Sequence, residues 1–490
     1  MRVLARFCFV SALWLATLSF VYAQDSALGQ NLDDIFGAEV SALDTSPGFW
    51  SKLRVSGYLK NETAYRIREP RSITKLRNIF SLNTQYPISN SLSFNATGWA
   101  YYDHAYDLFN YETIVARLER DEREPLAFIQ SLPQERDSPV AELREFYLDV
   151  AANDWDLRLG KQFIIWGVME GVRVVDEMNP IDFRELILLD LLDYRIPLWS
   201  AKFDYYSNWG DFQLVWIPEL EFHRPAPPGS EWEQLQRVPG TVEPESGEFE
   251  NWEVGLRWEN IIANTELSLS YFYTWDDFPV IFRTVEIGGE DPVFFPTYTR
   301  ITMYGGTAVR QVGSYILKGE LAYVTDKFFG RRNTADDDSD GVVDTNGVAQ
   351  KDHIRWGLGV DFVLQSWDVA LGATQWIILD YEDNLIQQEF DTSYSLFMRR
   401  EFPQYSMTAQ LLWLYFFTLG EHYIKPKVTF QVTNEFQFSV GLDLFDGEAS
   451  DFGSSPTSVV GGFDSTVQRA QFVGNFSDND RVFFEFKYSF

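Results

Sequence analysis

The chain ends in the sequence VFFEFKYSF, which occupies residues 482–490. Apolar side chains stand at every second position of this stretch, and the aromatic residue Phe490 stands last. A period of two is typical of a β-strand with one apolar and one polar face. We therefore predict a strand whose apolar face meets either lipid or a second sheet.

The same alternation recurs along the chain. It is clearest at residues 252–259, 265–275, 354–362 and 436–444. A soluble β-sandwich and a transmembrane β-barrel both produce strands of this kind. Tryptophan and tyrosine at both ends of the strands favour the barrel, because these side chains accumulate at membrane interfaces.

The composition excludes several classes of protein. Aromatic residues make up 17% of the chain, yet no apolar stretch is long enough for a membrane helix. The formal net charge of −32 argues against a nucleic acid partner, since binding to phosphate needs surplus lysine and arginine. The alternative that composition alone leaves open is a soluble, aromatic-rich sandwich that binds carbohydrate.

The first residues predict export. Arg2 and Arg6 precede an apolar run, and the small residue Ala23 suits a signal peptidase. We predict a signal peptide over residues 1–23, a periplasmic leader over 24–52 and a barrel over 53–490. The expected location is the outer membrane of a Gram-negative bacterium.

The predicted fold is an all-β, transmembrane antiparallel β-barrel of about 18 strands, within a range of about 16–18. Short connections such as 87–90 and 151–154 alternate with long ones such as 104–139 and 447–480. Short turns face the periplasm in such barrels, and long loops face the exterior. A barrel of this width leaves an aqueous channel unless something fills it.

One long connection, residues 167–197, differs from the others. Asp182 and Glu185 have the spacing of a helix capping box, and leucines follow them. We predict an amphipathic helix near residues 183–194 that is too apolar for bulk water. The apolar face of this helix comprises Ile187, Leu188, Leu191 and Leu192. The loop is therefore expected to fold into the lumen, and the alternative is a lid packed over the rim.

The strand pair before this loop supplies the candidate pore wall. With a turn at residues 152–153, Tyr147 would lie opposite Arg158, and Asp149 opposite Asp156, on the lumen face. Opposed charges on a pore wall orient water and solute, although such pairs also occur in any wet barrel interior. The predicted pore-lining and constriction residues are Glu145, Tyr147, Arg158, Gln162, Trp166, Asp182, Arg184 and Glu185.

A series of short motifs marks this region. They are REFY at 144–147, LGKQ at 159–162, WG at 166–167, NPID at 179–182 and RIP at 195–197. This series resembles an uncharacterised family of bacterial outer-membrane porin-like proteins with a GRQ, WG and NPxD core, distantly akin to alginate-export barrels. Lys161 stands where the core has arginine. The resemblance implies a β-barrel channel, and the family's frequent gene neighbours imply an inner-membrane exporter of hydrophobic compounds as a partner.

The terminal strand carries a second resemblance. An amphipathic last strand with a final aromatic residue resembles the terminal signature of outer-membrane barrels. The resemblance implies that the barrel-assembly machinery recognises Phe490. Outer-membrane lipid and lipopolysaccharide are the other expected partners.

An acidic stretch supplies a candidate metal site. Five residues match positions of a calcium-binding loop: Asp336, Asp338, Asp340, Gly341 and Asp344. The position of the bidentate glutamate is taken by Gly347, and a solvated acidic loop is the alternative. Apart from Ca²⁺ in this loop, no cofactor is expected.

Catalytic motifs are missing from the sequence. The four histidines, His104, His223, His353 and His422, are scattered, and no Gly-x-Ser-x-Gly or His-Glu-x-x-His motif accompanies them. We predict no enzyme. The first remaining function is an outer-membrane channel that passes small or elongated solutes through a lumen narrowed by residues 167–197. The second is a non-conducting anchor whose acidic, calcium-binding loops mediate surface interaction or assembly of an export complex.

Overall fold

The structure is a computed structural model, and it describes ten stretches of the chain. These are residues 49–110, 113–114, 140–169, 171–188, 193–226, 231–232, 241–284, 293–331, 346–448 and 472–490. The chain divides into two units, Met1–Leu53 and Arg54–Phe490. The described part of the first unit contains helix α1, Phe49–Lys52. The predicted signal peptide and most of the predicted leader lie outside the described residues.

The second unit is a closed β-barrel. Its sheet has 18 antiparallel strands in sequential order, and pairing of the last strand with the first closes it. The strands are β1 (Arg54–Arg66), β2 (Ser72–Pro87), β3 (Leu92–Asp103), β4 (Val140–Ala151), β5 (Trp155–Gln162), β6 (Leu198–Ser207), β7 (Gly210–Ile217), β8 (Glu253–Ile262), β9 (Thr265–Trp275), β12 (Arg300–Val312), β13 (Tyr315–Gly330), β14 (Val348–Leu364), β15 (Trp367–Ile378), β16 (Phe390–Phe402), β17 (Met407–Phe416), β18 (Glu421–Gln431), β19 (Phe436–Asp446) and β20 (Arg481–Ser489). The predicted barrel and its strand number are confirmed.

Further elements lie outside this sheet, among them the 3-10 helices Phe249–Asn251, Pro403–Tyr405 and Gly474–Asn479. A hairpin of β10 (Val280–Thr284) and β11 (Val293–Thr297) is inserted between β9 and β12. Helix α2, Ala105–Leu108, follows β3. The hairpin was not predicted from the sequence, and its two strands are only five residues long each. Among the described residues, no helix is long and apolar enough to cross a membrane.

The terminal strand completes the wall. β20 pairs with β19 on one side and with β1 on the other. The backbone N–H of Phe490 donates to the carbonyl of Gly57 at 3.0 Å, and the N–H of Gly57 donates to the Phe490 carbonyl at 2.9 Å. The ring of Phe490 is half exposed and stacks near Phe80, whereas Glu485 pairs with Lys427 inside the barrel at 2.6 Å.

The two faces of the wall differ in polarity. Large apolar side chains such as Leu269, Leu321 and Leu358 are more than half exposed on the outer face. The inward positions next to them carry buried charged groups, including Glu320 and Arg355. Soluble proteins have the opposite arrangement, with charge outside and apolar residues inside. The alternation in the sequence therefore reflects an apolar exterior and a polar interior.

Candidate functional site

Residues 163–197 connect β5 to β6, which are neighbouring strands whose ends pair at Gln162 and Leu198. We name residues 163–197 the infolded segment, because its described residues, 163–169, 171–188 and 193–197, turn into the barrel. Ile164, Trp166 and Met178 of this segment are buried against inward-facing wall residues. The wall residues of this cluster include Val215, Phe272, Ile301, Met303 and Val324.

Glycines on the inner face of the wall allow the infolded segment to approach closely. A Cβ atom at Gly255 would lie 2.7 Å from Cη2 of Trp166. A Cβ atom at Gly357, on β14, would lie 3.0 Å from Cγ2 of Val174. The segment therefore contacts the wall at β8 and again at β14, several strands away.

Glu320 on β13 holds the tip of the infolded segment. Its carboxylate accepts backbone N–H bonds from Val168, from Met169 at 2.7 Å and from Val175 at 3.0 Å. Burial raises the cost of leaving backbone N–H groups without an acceptor. One carboxylate of the wall thus accepts hydrogen bonds from three backbone N–H groups that have no partner strand.

Side chains within the segment brace its two ends. Asn179, from the NPID motif, accepts the N–H of Ile164 at 2.8 Å and donates to the carbonyl of Ile196 at 2.8 Å. Asp176 accepts the N–H of Trp166 at 3.2 Å and forms a buried ion pair with Arg195. The beginning and the end of the segment are therefore joined through these two side chains.

The second half of the segment is tied to β2 and β4. Glu185 forms buried ion pairs with Lys75, at 2.8 Å, and with Arg77. Arg184 pairs with Asp182 at 2.5 Å and with Glu142 at 2.9 Å. These predicted constriction residues therefore fasten the segment to the wall.

A β-bulge supplies a further tie. The register between β3 and β4 shifts at Thr97 and Gly98, which leaves Arg144 as the extra residue. Its guanidinium donates to the carbonyls of Asp193 at 3.2 Å and Arg195 at 2.9 Å. Bulges commonly redirect a side chain in this way.

The predicted wall pairing is wrong by two residues. Arg158 lies opposite Asp149, and Tyr147 lies opposite Gly160. Arg158 forms a bidentate ion pair with Asp149, with N–O distances of 2.6 and 3.1 Å, and covers the Tyr147 ring at 4.1 Å. The register differs because the turn is centred on residues 153–154, one position later than predicted, and the N–H of Ala152 donates to the carbonyl of Trp155 at 2.9 Å.

The other predicted residues lie nearby. Glu145 accepts a hydrogen bond from Thr97 at 3.4 Å. Gln162 is fully buried and donates to the Ser200 carbonyl at 3.2 Å. Trp166 donates from its indole N–H to Gln213 at 2.6 Å.

A cavity of about 1010 Å³ lies on the opposite side of the infolded segment. Along β14 its lining runs from Val348 to Asp361, which is about 43 Å of strand. Met169, Arg173 and Glu177 line it from the infolded segment. Among the described residues that line this cavity, none belongs to the eight predicted pore-lining residues.

Charged groups cluster in the lining of the cavity. Glu177 pairs with Arg355 at 2.7 Å, and the Arg355 guanidinium lies 3.9 Å from the centre of the Trp376 ring. Burial alone would raise the pKa of Glu177, but Arg355 and Arg173 outweigh it and lower the pKa to about 2. Glu177 is therefore ionised throughout the physiological range.

A histidine–aspartate pair lies beside this cluster. His223 accepts the backbone N–H of Ile181 on Nδ1 at 2.9 Å, and Asp277 lies 3.5 Å from the same nitrogen. Burial and the Arg173 charge lower the pKa of His223 well below its usual value. Burial, with the charges of Glu253 and Glu177, raises the pKa of Asp277 well above its usual value. Burial therefore disfavours the charged form of both groups.

The predicted helix near residues 183–194 does not form where the structure describes it. Residues 184–187 are turn, and 189–192 lie outside the described residues. The carboxylates of Asp182 and Glu185 are engaged by Arg184 and Lys75, so neither caps a helix. The capping-box pattern thus marked ion-pairing residues instead of a helix start.

The candidate calcium residues Asp336, Asp338, Asp340 and Asp344 lie outside the described residues. Within the described ranges, no cluster of three or more histidine, cysteine, aspartate or glutamate residues could hold a metal ion.

Sequence reasoning missed the residues that line the cavity. Arg173 and Glu177 stand in a stretch without a recognisable motif, and Arg355 looked like one polar residue of an ordinary strand. One available signal was β17, where apolar residues run from Leu411 to Phe416 without alternation. An apolar inner face in a polar barrel indicates that something packs there or passes by.

One protein family and several solved structures are similar to this chain. A family model described as "Protein of unknown function (DUF1302)" matches residues 72–490. No curated protein matches the chain by sequence. The crystal structure of Acinetobacter baumannii OccAB2 is 11% identical, with a TM-score of 0.49, over 91% of this chain and 99% of that one.

Two further solved structures are similar. Pseudomonas aeruginosa OccK8 (OprE) is 10% identical, with a TM-score of 0.47, over 91% of this chain and 99% of that one. Vibrio cholerae OmpT, an outer membrane protein, is 9% identical, with a TM-score of 0.37, over 89% and 99%. The GRQ, WG and NPxD core and the kinship to alginate-export barrels stay predictions.

Proposed function

The chain belongs to the family described as "Protein of unknown function (DUF1302)", and we propose that it is a porin-like channel of a Gram-negative outer membrane. A closed barrel leaves no unpaired strand edge, which is a requirement for crossing lipid with strands. The apolar outer face, with exposed Leu269, Leu321 and Leu358, suits lipid contact.

The cavity beside the infolded segment carries the proposal. Its lining follows β14 for about 43 Å, and at the strand tilt usual in such barrels this length spans about 33 Å of height. The hydrocarbon core of a bilayer is about 30 Å thick. A solute on this path would therefore remain inside the barrel across the whole membrane.

The infolded segment is the proposed constriction. Trp166, Asp182, Arg184 and Glu185 would hold it against the wall through the contacts described above. Glu145, Tyr147, Arg158 and Gln162 would form the polar wall on its other side. Small or elongated solutes would pass between the segment and β13–β18.

Planar-bilayer conductance tests this function. Because Gln162 and Leu198 are register partners, a short Asn-Gly turn can replace residues 163–197 without disturbing strand pairing. We expect discrete conductance steps for the complete chain and steps at least about twofold larger for the variant. Folded protein of both kinds without any conductance would overturn the channel proposal.

The non-conducting anchor is the alternative. Its acidic loops would bind surface glycan, a partner or calcium, and the calcium would be held by Asp336, Asp338, Asp340 and Asp344. Heat released by millimolar Ca²⁺ in a calorimetric titration, and lost when all four become asparagine, would support that site. Lipopolysaccharide, the barrel-assembly machinery and an inner-membrane exporter are the partners that we propose for either function.

A further inference from the structure

The inner face of the barrel contains an apolar strip that a water-filled pore does not need. We name it the apolar track, and its members all line the cavity. They are Ile187, Phe397, Leu412, Leu414, Phe416 and Phe472. Lumen positions of water-filled barrels are usually polar. The track therefore requires an explanation beyond the barrel fold.

Part of the track is covered by the protein itself. Leu414 is buried in a cluster with Leu186 and Leu188 of the infolded segment, and the rings of Phe416 and Phe472 lie 5.2 Å apart. Leu412 and Phe397 are only partly buried and line the cavity. These two side chains offer apolar surface to whatever occupies the cavity.

Arg173 faces the same cavity from the infolded segment. Its Nη1 donates to the carbonyl of Asn179 at 3.0 Å. Its Nε and Nη2 atoms have no hydrogen-bond partner among the described residues. Within the described chain, no carboxylate lies within ion-pair distance of this guanidinium. A buried guanidinium with free donors is suited to an anionic ligand group.

The carboxylates near Arg173 do not form ion pairs with its guanidinium. Glu177 is held by Arg355 at 2.7 Å, and Asp276 is held by Lys327. Burial raises the pKa of Asp277 well above its usual value, which disfavours a negative charge on this carboxyl. Glu177 and Asp276 therefore each pair with another cation, and among the described residues no carboxylate forms an ion pair with Arg173.

Arg173 and the apolar track are close to each other. A Cβ atom at Gly171 would lie 3.2 Å from Cδ2 of Leu414. Gly171 stands two residues before Arg173, and two residues span at most about 7 Å. A molecule with a carboxylate at Arg173 could thus rest a short hydrocarbon chain on the track.

On the basis of the proposed channel function, we propose that the cavity binds and passes amphipathic anions, with an apolar body on the track and one anionic group at Arg173. The class is a small organic carboxylate with an alkyl or aromatic body. Elsewhere in the lining, Lys318 and Lys427, each paired with a carboxylate, offer further contacts for the same group.

Blockade of single-channel current by four probes tests this inference. The probes are hexanoate, acetate, hexylammonium and 1-hexanol, each added at millimolar concentration. Hexanoate is expected to block at a concentration at least about tenfold lower than the other three, because it alone has both groups. Equal block by hexanoate and acetate, or by hexanoate and hexylammonium, would overturn the inference while conductance itself upheld the channel.

Two variants separate the contribution of the Arg173 charge from that of the apolar track. Arg173→Gln should weaken hexanoate block about tenfold, and Leu412→Ser should weaken it about threefold. The matched controls are Lys202→Gln and Val309→Ser, on inward-facing positions that do not line the cavity, and they should leave block unchanged. Control variants as defective as the cavity variants would contradict the assigned site.

Discussion

Single carboxylates determine how the interior of this barrel is filled. Glu320 accepts three backbone N–H groups of the infolded segment, and Glu421 on β18 accepts the N–H groups of Phe472 and Val473 in the same way. Each carboxylate supplies the hydrogen-bond acceptors that a neighbouring strand would otherwise provide to these backbone N–H groups. In the sequence, each of these residues looks like one polar position of a strand. In the structure, its carboxylate anchors a long connection to the wall.

The role of Glu320 predicts a stability effect. In Glu320→Gln, one oxygen becomes an NH₂ group that faces N–H donors, so the cost should be about 1–3 kcal/mol. The matched control is Glu259→Gln, whose partly exposed carboxylate pairs with Arg257 at 2.9 Å and should cost less than about 1 kcal/mol. Urea unfolding of the refolded proteins measures both, and equal losses would contradict the anchoring role.

Glu177 predicts a pH dependence. Its pKa of about 2, compared with the usual 4.5, means that the folded state releases the proton more readily than the unfolded chain. Its stabilising effect is therefore complete above pH 4.5 and is lost as the pH falls towards 2. The difference in thermal midpoint between wild type and Glu177→Gln should be largest near neutral pH and vanish near pH 2. A difference independent of pH would contradict the ion pair with Arg355.

At the scale of elements, the infolded segment and the wall fit each other. Inward-facing glycines on β8 and β14 make room for Trp166 and Val174. Gly255→Val should therefore displace Trp166 and cost about 1–3 kcal/mol through overpacking. Gly319→Val is the control, because the nearest atom to its Cβ is 3.8 Å away. Unfolding midpoints that shift equally for both variants would show that the segment does not press on β8.

The sequence predicted the strands well and the segment only in part. Alternating polarity identifies a strand, because the polarity of each side chain indicates the face of the sheet on which it lies. The errors in β4 and β5 were therefore limited to the pairing register. The infolded segment has no such alternation of polar and apolar residues. Glu185 pairs with Lys75, which lies 110 positions earlier in the chain, and a local capping pattern does not reveal a partner at that separation.

At the scale of the whole molecule, closure of the barrel creates the site. Arg173 and Glu177 come from one connection, whereas Arg355, Trp376 and Leu412 come from three different strands. Only the closed sheet brings them around one cavity. The site residues were predicted because they lie in or beside the infolded segment in the sequence. They lie on the side of the segment opposite the cavity.

We propose that solute passes through the cavity between the infolded segment and β13–β18. This path is tested by Ala370→Cys, whose side chain lines the cavity on β15, in the mature chain, from which Cys8 is removed with the predicted signal peptide. The control, Ser200→Cys, lies buried on the inner face of β6 away from the cavity. A charged methanethiosulfonate reagent should reduce the single-channel current of Ala370→Cys by at least about one third and leave that of Ser200→Cys unchanged. An unaltered current after complete modification of the Ala370→Cys variant, verified by mass spectrometry, would contradict the account.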